Sequence, residues 1–214
     1  MTHSPDRLDD AFVSAFAISL ELIRKHEVAD RWSQPSNLPE MSVGALSCHL
    51  GRQAVRAAEL LVVATDVPPL DSADAHYAAA AWVTSASPDD PANDRSDDDL
   101  EATLGVTALS RRAGEALEAT RETLASGRAR DVVLVPWQGW SLRRDDFLLT
   151  RLVEVVVHTD DLALSVGVRP PTFPDAAATP VLELLLRLAV ARHGQSAVIS
   201  TLTRSERSQD ISAF

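Results

Sequence analysis

The sequence predicts an all-α protein, a four-helix bundle with a short β-type hairpin before the fourth helix and a short helical extension after it. Three observations carry this reading. Four long segments repeat apolar residues at helical spacing, and Pro-, Gly- and Asp-rich stretches separate them. The connections after the second and third segments are the longer ones, as in antiparallel bundles. The fourth segment, around Leu148 to Ala163, is apolar on nearly every side except for one stripe of Arg151, Glu154, His158 and Asp161. A helix that apolar is buried, so its polar stripe faces either solvent or an interior cavity with partners.

The elements follow in order. Residues 6–27 carry Leu8, Ala11, Ala15, Ile18 and Leu22 at helical spacing, widened by Phe12, Phe16 and Ile23. Asp30 to Glu40, with Pro35 and Pro39, reads as a loop. Ser42 is a favourable N-cap for a second helix reaching about Thr65. Pro68, Pro69 and Asp71 interrupt the chain before a shorter Ala-rich helix over Asp74 to Thr84. Ser87 to Ser96, with Pro88, Asp89, Asp90, Pro91 and Asn93, is the most loop-like stretch. Asp97 to Asp99 then supply an acidic first turn for a third long helix ending near Ser126 and Gly127. Val132 to Val135 reads as a short strand, with a turn at Gln138-Gly139 before Trp140. Gly167 stops the fourth helix and Pro170, Pro171 and Pro174 follow. A last helix is expected from Thr179 to His193, and Gln195 to Thr203 forms a further short one. The predicted organisation is a bundle over residues 1–167 with an extension over 168–214 packed on it.

Bulk properties exclude several classes. A hydrophobic content of 45% with mixed charge describes a folded chain. The net charge of −11 argues against a nucleic-acid or anionic-membrane surface, both of which need basic patches. With no run of about 18 apolar residues and no leader pattern, the expectation is a soluble, cytoplasmic protein. The lone Cys48 permits no intrachain disulfide and fits a reducing compartment. No phosphate-cradling glycine loop and no Gly-x-Ser-x-Gly are present. All basic residues but Lys25 are arginine, alongside abundant alanine, which reads as GC-rich coding bias.

Glu154 and His158 are four apart and stack on one helical face. His49, on the second helix beside Ala45, Leu46, Leu50 and Gln53, is the best third partner. Two imidazole nitrogens and one carboxylate oxygen form the donor set of an open catalytic Zn²⁺ site, and would hold other borderline divalent ions as well. Asp161, one turn beyond His158, is placed to accept its second N–H and fix its tautomer. The plain alternative is an exposed polar pair on one helix and an unrelated histidine on another.

The set together resembles a family. Met41-Ser42-Val43-Gly44-Ala45-Leu46 ahead of Cys48-His49-Leu50 is similar to the start of the second helix in the DinB-like metalloenzymes, with Met41 where the family often has Trp. Arg151 to Ala163 resembles the Glu-x-x-x-His-x-x-Asp-Leu helix of the mycothiol-dependent maleylpyruvate isomerase and mycothiol S-transferase branch. The resemblance covers about residues 8 to 167. It implies a DinB-like four-helix bundle holding a divalent metal, usually zinc, through His49, Glu154 and His158. It further implies mycothiol, or a similar low-molecular-weight thiol, as cosubstrate, activated for S-transfer to a small electrophile or for thiol-assisted isomerisation of one. GC-rich coding fits the bacteria that make mycothiol. The isomerase itself carries a longer α/β C-terminal domain where this chain has residues 168–214, so the chemistry class is implied more firmly than the named reaction.

The remaining side chains carry smaller expectations. Trp137 and Trp140 flank a turn just before the fourth helix, where they wall the thiol pocket or simply pack the loop. Arg52, Arg56 and Arg151 lie on the two metal-bearing helices and bind an anionic ligand or pair with surface carboxylates. Cys48 reads as a small buried hydrophobe. His3, His26, His76 and His193 read as solvent-facing. The expected partners are a small thiol and an electrophile, with no nucleic acid and no membrane, in a monomer or homodimer. The rival functions are a metal-dependent hydrolase using bound water and a non-catalytic metal- or small-molecule-binding regulatory module.

Overall fold

The computed structural model describes residues 5–84 and 96–214, and these are predominantly helical with one two-stranded sheet. Of the loop expected from Ser87 to Ser96, all but Ser96, which begins a helix, lies outside the described residues, as does His3. The first helix, α1 (Pro5–Ile23), buries Leu8, Phe12, Phe16 and Ile23 along one stripe. A fully buried aliphatic or aromatic side chain contributes roughly 1.5–3 kcal/mol, so this stripe is a main source of stability. The sequence reading carried this helix to residue 27. Instead Lys25 turns extended and caps a short α2 (His26–Asp30).

The next helix, α3 (Val43–Leu60), begins at Ser42, whose Oγ accepts from the Ala45 N–H at 3.0 Å. It ends five residues before the expected Thr65. The Leu61 carbonyl is taken by the Arg130 N–H at 2.7 Å, and the β-branched Val62 and Val63 face solvent.

Two helices expected to be continuous are broken. The Ala-rich segment divides into α4 (Ala73–Ala79) and α5 (Ala81–Thr84), because Ala80 is extended. That bend lets Tyr77 and Trp82 both pack on Phe214, each with ring centroids 5.1 Å from it. The expected third helix divides into α6 (Ser96–Ala102) and α7 (Gly105–Ala125). Gly105 sits at φ 81, a left-handed conformation that continues no right-handed helix and favours glycine. The carbonyl of Ala102, freed at the end of α6, accepts from Trp32 Nε1 at 2.9 Å.

The hairpin pairs β1 (Val132–Val135) with β2 (Trp140–Arg143), with Val132 opposite Arg143 and Val135 opposite Trp140. It leads directly into α8 (Arg144–Val166), which stops at left-handed Gly167 as the sequence predicts. Then α9 (Asp175–His193) begins four residues earlier than expected and tolerates Pro180 within its second turn; α10 (Gln195–Thr203) follows.

Both α1 and α3 pack against α7 and α8, while α6 lies on α3. A buried hydrogen bond of 2.6 Å between Ser19 and Thr159 joins α1 to α8. On the other side, α9 packs on α1, α4 and α8, and Arg187 grips Asp74 with two 2.9 Å hydrogen bonds. Among the described residues no helix is long and apolar enough to cross a membrane.

Candidate metal centre

The facing surfaces of α3 and α8 bring His49, Glu154 and His158 together, with one ligand atom from each lying within 4.8 Å of the others. His49 Nε2 is 2.9 Å from Glu154 Oε2, and His158 Nε2 is 3.4 Å from the same oxygen. The two rings meet edge to face, 4.9 Å between centroids. Each imidazole is held from behind by a carboxylate. His49 Nδ1 donates to Asp98 Oδ2 and His158 Nδ1 donates to Asp161 Oδ2, both at 3.0 Å.

This arrangement sets a proton problem. Both nitrogens of both rings face carboxylate oxygens, which only accept. The rings satisfy that geometry either as two imidazolium ions or as two neutral imidazoles whose Nε2 lone pairs meet a cation. One divalent ion in place of two protons leaves the charge of the cluster unchanged. The donor set of two nitrogens and one oxygen, with a carboxylate behind each ring, therefore fits a divalent metal. Without one, burial disfavours the His158 cation, but hydrogen bonds to Asp161 and Glu154 outweigh it and lift its pKa to about 9. Burial likewise works against the Glu154 carboxylate, and hydrogen bonds from His158 and His49 hold it well below its usual range.

The family model for the mycothiol maleylpyruvate isomerase N-terminal domain matches residues 14–163. The chain belongs to this DinB-like family. No curated protein matches the chain, and no solved structure does. The mycothiol maleylpyruvate isomerase N-terminal domain match runs from within α1 to within α8, so it contains all three converging residues and leaves α9 and α10 outside.

Within this isomerase-family region the other side chains separate. Arg52 is matched by three carboxylates, Asp98 at 2.9 Å and Asp97 and Glu101 at 3.3 Å. Arg151, only 5% exposed, gives Nη1 to Gln53 Oε1 at 2.7 Å. Trp137 is half open to solvent and lies under the Arg56 guanidinium, 4.0 Å from the ring centre. Trp140 turns inward, and its Nε1 donates to His76 Nδ1 at 3.1 Å. Cys48 is fully buried, and burial, followed by the Glu101 and Asp98 charges, pushes its thiol up to about 12. It is therefore no source of thiolate near neutral pH.

Asp98 is the residue that sequence reasoning missed. Asp97 to Asp99 read only as the acidic first turn of the third helix, yet Asp98 is 4% exposed and aimed at His49. Its signal was an acidic run at a helix start that could reach a histidine on another helix, which only tertiary packing selects. His76 is a correction. It was expected in solvent and is buried against Tyr77 and Trp140, whereas His26 is exposed and His193 is half-buried, with Nε2 donating to the Ser212 carbonyl.

Burial, followed by the Arg151 charge, lowers the His76 pKa from 6.5 to about 4. The unfolded chain therefore binds more protons between these values, and this contribution to stability is lost as pH falls from 6.5 toward 4. Urea unfolding is expected to show wild type losing about 2 kcal/mol more than His76→Gln between pH 7 and pH 5. Equal losses would mean that His76 titrates normally in the folded protein.

Proposed function

We propose that this protein is a metal-dependent thiol enzyme: His49, Glu154 and His158 hold a divalent ion, with zinc the first choice for two nitrogens and one oxygen, and mycothiol or a similar thiol attacks a small electrophile. The outcome is S-transfer or thiol-assisted isomerisation. One observation carries the reading. Three donor atoms converge on a single point, with a carboxylate behind each imidazole, inside a region that belongs to a mycothiol-associated family. The helices α1, α3, α7 and α8 are read as its DinB-like four-helix bundle within residues 1–167, and 168–214 as an extension packed on that bundle. A free-thiol cosubstrate and the unpaired Cys48 fit a cytoplasmic setting.

A bound divalent ion supplies Lewis acidity, lowering the pKa of a coordinated thiol from about 8.5 and so raising the thiolate fraction at neutral pH. The chain's own groups do the positioning. Asp98 and Asp161 take the Nδ1 protons and keep both Nε2 lone pairs pointed inward, and Glu154 contributes the anionic donor. The apolar side chains of α8, Leu152, Val153 and Val155, exclude water from the helix flanking these donors. Trp137 and Trp140 stand at the hairpin that leads into α8 and are read as the wall of the thiol and electrophile pocket.

The test is turnover of monochlorobimane by zinc-loaded protein with mycothiol, in which sulfur bonds to carbon and chloride leaves. Conjugation that requires both thiol and metal is expected. Thiol-independent cleavage of esters or amides would instead establish the hydrolase, and metal uptake without turnover of any electrophile would favour the regulatory module.

A further inference from the structure

Among the described residues, several arginines near the α3 and α8 faces sit against carboxylates. Arg52 meets three, Arg112 meets Glu101 at 2.7 Å, and Arg144 lies 3.6 Å from Asp9. Arg56 and Arg151 break the pattern. Among the described residues no carboxylate lies within ion-pair distance of either, although Arg151 is 5% exposed and Arg56 is half-buried. A buried cation without a counter-charge is costly.

Both guanidinium groups also sit over the same indole. Their central carbons are 4.0 Å and 5.8 Å from the centre of the Trp137 ring, so two like charges share one platform. Burial and then the Arg151 charge pull Arg56 down to about 10. The platform is held in place from the metal side. Gln53 is fully buried; its Oε1 accepts from Arg151 Nη1 at 2.7 Å while its Nε2 donates to the His49 carbonyl at 2.8 Å. Of Arg151's guanidinium, Nη1 is taken by Gln53 and Nε by Thr150, leaving Nη2 without a protein partner among the described residues.

The placement relative to the converging donors is fixed by helix geometry. Arg151 precedes Glu154 by three residues on α8, and Arg56 follows His49 by seven on α3, both on the donors' face. The cations therefore lie about 5–10 Å along the helices from those donors, the span of a small organic acid. A cleft of about 560 Å³ opens onto Arg56 and Trp137, with Leu100, Leu104 and Pro136 as apolar lining. Arg52 and Arg112 also line this cleft but are paired with its Asp97 and Glu101, and Glu59 adds a negative charge that repels a dianion more than a monoanion.

We infer that Arg56 and Arg151, stacked on Trp137, form an anion subsite that receives a carboxylate of the electrophilic substrate. The planar guanidinium fork matches a carboxylate, and the anion supplies the close counter-charge that neither arginine has among the described residues. The subsite rests on the proposed function for what the bound anion undergoes, and on the arginine geometry alone for where it binds.

Calorimetric titration of zinc-loaded protein with benzoate, its neutral isostere benzamide and inorganic phosphate tests this directly. Benzoate is expected to bind at least tenfold more tightly than benzamide and more tightly than phosphate. Arg56→Gln, at the rim, is expected to weaken benzoate about tenfold or more, and Arg56→Lys to recover part of the loss. Benzoate that binds Arg56→Gln as well as wild type is ligating the metal, and that result overturns the subsite. Equal binding of benzamide, tighter binding of phosphate, or no benzoate binding overturns it too. Protein that takes up no metal yet binds benzoate through Arg56 keeps the subsite and sinks the proposed function. Metal-dependent thiol turnover without benzoate binding does the reverse.

Discussion

His158→Ala is expected to be purified almost free of metal, whereas wild type prepared without tag or chelator carries close to one divalent ion per chain. Removing His158 takes away one of three donors and leaves Asp161 without the ring that it now holds at 3.0 Å. The loss of affinity should exceed the 10–100-fold (roughly) that follows from removing an outer partner of a metal ligand. The helix itself should survive, because alanine is the strongest helix former and α8 is anchored by buried Leu148, Leu152, Val155 and Leu162. Metal content by mass spectrometry, beside far-UV circular dichroism to show the helix intact, separates the two effects. Wild-type protein that holds no ion and takes up none on addition of Zn²⁺, Ni²⁺ or Mn²⁺ would sink the proposed mechanism.

Asp98→Asn is expected to lower metal affinity about 10–100-fold while leaving all three donors in place. By accepting from Nδ1 the carboxylate fixes the His49 tautomer that leaves the Nε2 lone pair free for a metal, and an amide, which can also turn its NH2 toward the ring, does this less well. Asp97→Asn is the matched control. Asp97 touches the same Arg52 at 3.3 Å, but its side chain is 82% exposed, and exposed ion pairs contribute only about 0–1 kcal/mol. Competition with a chromophoric chelator should show a large shift for Asp98→Asn and almost none for Asp97→Asn. Equal shifts would assign the effect to Arg52 or to net charge, and would remove Asp98 from the site.

The parts of the fold legible in the sequence are those set by short-range chemistry. Ser42 caps α3, and Gly167 ends α8, because each choice depends on a few neighbouring residues. The approach of His49 to Glu154 and His158 was legible for a related reason: a polar stripe on a helix otherwise apolar needs partners inside. The breaks at Ala80 and Gly105 were not, since the apolar period runs through both and only contacts with Phe214 and Trp32 explain the bends. His76 follows the same rule. Apart from Tyr77, its neighbours in sequence are alanines and Asp74, and the indole that closes over it with the Tyr77 ring arrives from β2. That Arg56 and Arg151 meet no carboxylate at ion-pair distance among the described residues, against the triply paired Arg52, is equally invisible before the helices are assembled.

The contact between His49 and Glu154 joins points 105 residues apart in the chain. No local segment of the polypeptide contains the chelate, so the unfolded chain has none to offer. An ion held by these donors would act as a clasp across about half the chain, and clasps that close long loops restrain the unfolded chain the most. An ion bound there would couple occupancy to folding by mass action, and the melting temperature would then rise with the free ion around the protein.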